Sequence, residues 1–130
     1  MIEIVTGDAR PIFQQIVDAL RLKIATGELA PGTRLPSVRG LAMQLTINPN
    51  TVARAYTQLT EEGLIASQKG VGAFVAERRQ RLSDPERHRR LEQATERFVH
   101  AVVSLGFDAE QILEHLAEQL APLHAKDDSN

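Results

Sequence analysis

The stretch TINPNTVARAYTQL, Thr46 to Leu59, decides how the chain is read. Asn48 has a side-chain oxygen that can accept a backbone N–H of the turn that follows, which makes it a good N-cap. Pro49 has the fixed φ and the missing N–H that suit the first helical position. Val52, Ala55, Tyr56 and Leu59 then recur at steps of three and four, the period of one helix face. Asn50 and Arg54 fall on about the opposite side, and Thr51 on a flank. A helix started this firmly is either an ordinary capped surface helix or one whose first turn touches something.

Working outward, SVRGLAMQL (Ser37 to Leu45) reads as a shorter helix. Ser37 is its N-cap, and Val38, Leu41, Ala42 and Leu45 are its buried side. Gly40 stands where the glutamate of a capping box would reach back. Two short helices a few residues apart form the helix-turn-helix arrangement. Before them, RPIFQQIVDALRLKIATGEL (Arg10 to Leu29) reads as a third helix with Pro11 in its first turn. Its apolar stripe is Ile12, Phe13, Ile16, Val17, Leu20 and Ile24. Gly27 can end it as a left-handed C′ residue, and the following LAPGTRLP holds a turn at Pro31-Gly32 and a second break at Pro36. After the capped helix the period changes. Leu64-Ile65 and Ala73 to Ala76 flank SQKGVG, two short β-rich runs around a glycine loop, which is a hairpin. A hairpin directly after a helix-turn-helix is a wing.

Charge marks a boundary near Glu77. Residues 77–90 carry six arginines against three acids, whereas residues 91–130 carry two bases against eight acids. The expected organisation is an N-terminal arm at 1–9, a winged helix-turn-helix at 10–76, a basic linker at 77–84, a two-helix region at 85–124 and a frayed tail at 125–130. In the two-helix region Leu91, Ala94, Phe98, Val102 and Leu105 share one face. Gly106 breaks the chain, and Asp108 caps the next helix with Gln111 as its capping-box partner. Ile112, Leu113, Leu116, Leu120 and Leu123 form the last stripe. Two helices cannot enclose two stripes by themselves, and a second copy of the chain would cover them with two-fold symmetry. Leu91, Phe98, Val102, Leu105, Ile112, Leu113, Leu116 and Leu120 are therefore the expected dimer contacts. The alternative is a monomer in which these helices pack back on the winged helix.

Composition narrows the function classes. The chain has 130 residues, 42% of them apolar, no cysteine and a formal net charge of −2. Disulfides and thiolate metal sites are excluded, and no run approaches the roughly 18 apolar residues of a membrane span. The start, MIEIVTGDAR, has acids and no apolar core of signal-peptide length, so a cytoplasmic location is expected. His88, His100, His115 and His124 form no i, i+4 metal pair, and GVG lacks the third glycine and following helix of a dinucleotide site. No enzyme, metal or cofactor is expected. Asn and Arg, by contrast, can each make paired contacts with purine edges, and a helix N-terminus offers unpaired N–H groups and partial positive charge to phosphate. Duplex DNA is the expected partner. A winged helix used for protein or RNA binding is the rival reading.

The segments PIFQQIVDALRLKIATGEL, PGTRLPSVRGLA, NPNTVARAYTQLTEEGLI and KGVGAFV, in that order and spacing, resemble the winged-helix DNA-binding domain of the GntR family of bacterial transcription regulators. The resemblance covers Pro11 to Val75, half the chain, and the short two-helix region resembles the YtrA-type subfamily. It implies a mainly α fold with a small β-hairpin, a winged helix-turn-helix followed by a two-helix dimerisation region. It also implies a homodimer that binds an inverted-repeat operator, usually to repress, and that governs its own operon and nearby transporter genes. The family's DNA contacts correspond to Arg39, to Asn48, Asn50 and Thr51, and to Lys69 and Gly70. Ser37 joins this set, and Arg34 and Arg54 join it on geometry. Glu often stands in such members where Gly40 stands here, and their wing tips are often more basic than SQKGVG. A small-molecule effector would have to sit between subunits or between the two parts of the chain.

Overall fold

The computed structural model describes residues 9–77 and 82–127, with side chains through Leu123. Most of the expected N-terminal arm, residues 78–81 of the linker and the last three residues of the tail lie outside the described residues. Two compact units are present, divided between Arg81 and Leu82.

The first unit is built from α1 (Ile12–Ala25), α2 (Val38–Leu45), α3 (Pro49–Glu61) and the antiparallel strands β1 (Ile65–Gln68) and β2 (Gly72–Val75). All three helices bury one stripe into a common core. Ile16, Val17 and Leu20 of α1, Val52, Ala55 and Leu59 of α3, and Leu41 of α2 are almost wholly removed from water. Leu35, Ile65 and Val75 close the core from the loop and the hairpin. Full burial of such aliphatic side chains stabilises by about 1.5–3 kcal/mol each, so this shared stripe fixes how α3 sits.

The ends of the helices are set by local chemistry. Ser37 Oγ accepts the Gly40 N–H at 2.9 Å, and Asn48 Oδ1 accepts the Asn50 N–H at 2.8 Å, with Pro49 in the first helical position. Pro11, expected inside the first turn of α1, is instead its N-cap residue, since its extended ψ of 153° lies outside the helical range. The α2–α3 turn is made by Thr46 at φ 56°, a left-handed conformation that β-branched residues rarely adopt. It lets the Ile47 N–H reach back to the Ala42 carbonyl at 3.0 Å. Gly63, at φ 77°, ends α3 in the same way, with the Leu64 N–H on the Leu59 carbonyl at 3.0 Å.

Two ties join α3 to its neighbours. The Tyr56 hydroxyl donates to the Pro36 carbonyl at 2.7 Å, and Arg21 of α1 grips Glu62 with Nε and Nη2 at 3.0 and 2.7 Å. The segment after the Pro31-Gly32 turn does more than connect. It runs beside β2, with the Leu35 N–H on Ala73 O, the Val75 N–H on Thr33 O and the Gly32 N–H on Val75 O, each at 2.9 Å. Arg34 lies in bridge position opposite Phe74. The hairpin therefore has a third, short edge drawn from the loop before α2.

The second unit holds α4 (Asp84–Val102) and α5 (Ala109–Asp127). Ser83 caps α4, so Asp84 belongs to the helix and not to the linker, and Val102 ends it, which places Leu105 in the connection. At α5 the expected capping box is formed reciprocally, Asp108 Oδ1 accepting the Gln111 N–H at 2.8 Å and Gln111 Oε1 accepting the Asp108 N–H at 3.0 Å. The helix runs through Asp127, so residues 125–127 are helical and not part of a tail. Glu86 accepts from Arg89 and Arg90, and these hydrogen bonds hold its carboxyl at about 2, well below the usual carboxylate range.

Burial pushes the Tyr56 phenol up to about 12. Tyr56→Phe leaves the Pro36 carbonyl without its donor and should cost about 1 kcal/mol near neutral pH. The phenol ionises at about 10 in an unfolded chain. Its contribution is thus fully present below pH ~10 and lost as pH rises toward the folded value. Urea unfolding of both proteins at pH 7 and pH 11 should show the wild-type advantage shrinking at the higher pH.

Candidate nucleic-acid interface

The candidate contact residues sit on α2, α3 and the hairpin of the first unit. Their side chains stay outside because the opposite faces of the same elements are buried. Val52, Ala55 and Leu59 are each 0% exposed, which turns Asn50 and Arg54 outward. Asn50 is exposed and Thr51 is half-buried on the flank. Arg39, the second residue of α2, is exposed and has no carboxylate partner among the described residues.

The two caps use part of what their side chains could offer a ligand. Asn48 commits Oδ1 to the Asn50 N–H and keeps its NH₂ group; Ser37 commits a lone pair to the Gly40 N–H and keeps its hydroxyl proton. The Thr51 N–H goes to the Asn48 carbonyl at 3.0 Å, and Pro49 has no N–H. The start of α3 was expected to offer unpaired N–H groups to phosphate. Instead, the cap and the proline satisfy or remove those of the first turn, so anion recognition there falls to side chains and to the partial positive charge of the helix end.

Lys69 and Gly70 form the tip of the hairpin. The Val71 N–H closes the turn on the Gln68 carbonyl at 2.9 Å, and Gly70 takes φ 80° at the position where only a residue without Cβ sits easily. Lys69 is exposed, with no acidic partner among the described residues. A groove between α3 and the hairpin brings Ser37, Lys69 and Gly70 together with Ala53, Thr57 and Thr60. Thr57 was not singled out from the sequence. Its signal was there, seven residues after Asn50 on the same side of the helix.

Arg34 and Arg54 are both held, in different ways. Arg34 Nη2 donates to the Val71 carbonyl at 2.8 Å, and its guanidinium lies beside Gly72, whose φ of 133° is a conformation that favours glycine. Arg34 therefore braces the hairpin from below. The Arg54 guanidinium carbon lies 3.7 Å from the centre of the Phe13 ring of α1. It faces a second groove, between α1 and α3, lined by Phe13, Arg54, Thr57, Gln58 and Glu61.

Comparison with known proteins gives a consistent result. The family described as "Bacterial regulatory proteins, gntR family" matches residues 12–75. The chain is similar to YhcF of Bacillus subtilis, an HTH-type transcriptional regulator, at 35% identity over 106 residues, which span 82% of this chain and 87% of YhcF. It is similar to the B. subtilis HTH-type transcriptional repressor YtrA at 40% identity over 59% of each chain. Among solved structures, a transcriptional antiterminator from Listeria monocytogenes superposes with a TM-score of 0.80 at 31% identity, covering 93% of this chain and 90% of the other. The DNA-binding domain of AraR in complex with operator ORX1 superposes with a TM-score of 0.50 at 25% identity, covering 58% of this chain and 92% of that one.

The Arg34 brace predicts a local change. Arg34→Ala frees the Val71 carbonyl and should raise amide hydrogen exchange at residues 68–72 by roughly three- to ten-fold, about what the loss of one modest hydrogen bond allows. Exchange in the buried part of α3 should stay as in the wild type.

Proposed function

The chain belongs to the GntR family of bacterial regulatory proteins and is a helix-turn-helix transcriptional regulator, not an enzyme; on that premise we propose that it is a repressor that binds an inverted-repeat operator as a homodimer. One observation carries the reading. Behind a fully buried α3 face, Asn50, Arg39 and Lys69 stand exposed, and neither cation is neutralised by a carboxylate among the described residues. Most other arginines of the described residues are paired in the usual structural way, such as Arg21 with Glu62 and Arg89 with Glu86. Unpaired cations beside a fixed helix end suit a duplex, where phosphates supply the missing charge and base edges accept the outward Asn and Arg. In this reading Arg39, Asn50, Thr51 and Arg54 contact the major groove. Ser37, Asn48 and the wing residues Lys69 and Gly70 touch the backbone. Arg34 contributes charge while bracing the wing.

The second unit supports the dimer. No residue of α4 is buried, and Leu91, Leu105, Phe107 and Leu113 are each 60–65% exposed. Phe98, Val102, Leu105, Phe107 and Ile112 border an open cavity of about 530 Å³ between the two helices of this unit. Burial of such side chains against a second copy would contribute about 1.5–3 kcal/mol each. The two-fold axis would set two half-sites about one helical turn apart, or a multiple. By analogy with YtrA-type regulators, its own operon and neighbouring transporter genes are the proposed targets, and the cytoplasm the proposed location.

Selection of bound duplexes from a random pool should return a palindrome. Affinity for it should fall with salt, with a log–log slope of roughly −4 to −8 for four cations in each of two subunits. A slope near zero, or selection of hairpin RNA in preference to duplex DNA, would overturn the reading. Arg39→Ala should cost about 1–3 kcal/mol on the selected duplex if it reads a base edge. For the dimer, light scattering at micromolar concentration should give twice the 14.4 kDa chain mass. Leu113→Glu should give the monomer mass with the melting of the first unit retained, whereas a monomeric wild type would refute the dimer.

A further inference from the structure

Arg54 is the only arginine on α3, and among the described residues nothing accepts a hydrogen bond from its donors. Its guanidinium carbon lies over the Phe13 ring, 3.7 Å from the ring centre, a separation that suits stacking of the guanidinium plane on the ring face. The guanidinium directs its five N–H bonds along its edge, in the plane. Stacking on a face leaves that edge free. A carboxylate would instead occupy the edge and cancel the charge, as Glu62 does for Arg21. Among the described residues Arg54 has no carboxylate partner.

Phe13 is itself well placed to act as a platform. It is the second residue of α1, half-buried and packed against the core, with Ile16 and Val17 of the same helix wholly buried behind it. The ring is thus anchored on its core side, whereas an unsupported arginine on a helix surface samples many rotamers. Holding the plane in place lowers the ordering cost of a paired contact.

We propose that Phe13 is a positioning residue for DNA recognition: its ring fixes the plane of the Arg54 guanidinium so that the N–H edge meets the duplex already oriented. This rests on the operator reading above and extends the recognition surface from α3 to the start of α1. The contact is a cation–π stack, so an aromatic ring is required at residue 13, and an aliphatic side chain of similar bulk does not replace it.

The test uses the full chain and the duplex that the wild type selects from a random pool, with a scrambled duplex as the non-specific control. Phe13→Leu should weaken binding to the selected duplex by roughly two- to five-fold, the range expected for an exposed cation–π contact. It should leave the salt slope and binding to the scrambled duplex unchanged, because the charge is retained. Phe13→Tyr should bind as the wild type does. In an Arg54→Ala background, Phe13→Leu should have no further effect on affinity. Thermal melts of each variant report folding separately. An equal loss from Phe13→Leu in both backgrounds would overturn the inference, as would an Arg54→Ala variant that binds and selects like the wild type. Those results would leave the operator reading intact; a wild type that selects no duplex would remove both.

Discussion

The burial of one face of α3 is the constraint on which the rest depends. Val52, Ala55 and Leu59 are completely covered, and Tyr56 adds a hydrogen bond to the Pro36 carbonyl at 2.7 Å. A helix held by three aliphatic side chains and a buried phenol cannot rotate about its axis without exposing them. Its opposite face is thereby fixed as well. Asn50 and Arg54 are outward because Val52 and Tyr56 are inward. The Asn48-Pro49 start adds the axial register, since it sets which residue begins the helix.

The arginines then divide by what they touch. Arg10, Arg21, Arg87, Arg89 and Arg90 meet carboxylates, mostly at the surface, where such pairs contribute little to stability. Arg34 meets a backbone carbonyl and Arg54 an aromatic ring. Neither contact cancels charge. Among the described residues of the first unit, the uncompensated cations thus lie near α2, α3 and the hairpin, although the chain as a whole carries a net charge of −2. Overall charge is a poor guide to nucleic-acid binding in such a chain, because the acidic stretch after residue 91 belongs to the other unit.

The second unit is organised on the opposite principle. Its helices are well started, by Ser83 and by the Asp108–Gln111 box, but they have no buried residue in α4 to hold them together. Strong local signals combined with exposed apolar side chains are what the proposed dimer requires of this unit. The first unit shows the reverse economy: its α2 has Gly40 where a capping glutamate could stand, and still its Leu41 is 1% exposed. Tertiary burial compensates for a weak local signal there.

By itself the sequence determined the element order, the caps at Ser37, Asn48 and Asp108, and the inward residues of α2, α3 and most of α1, where Ile12 of the expected stripe is 40% exposed and Gln15 is buried instead. These follow from short-range rules, such as a side-chain oxygen reaching the N–H two or three residues on, or apolar residues repeating with the helical period. Only the tertiary structure decided what happens between elements far apart in the chain. It turned PGTRLP from a simple connector into a third edge beside β2, drew Arg34 beneath Val71, set Phe13 under Arg54, and showed that the cap had already satisfied the N–H groups at the start of α3. None of these is periodic or local. Each depends on where two backbones approach in space, and that is fixed by the packing of the whole core, not by the residues on either side.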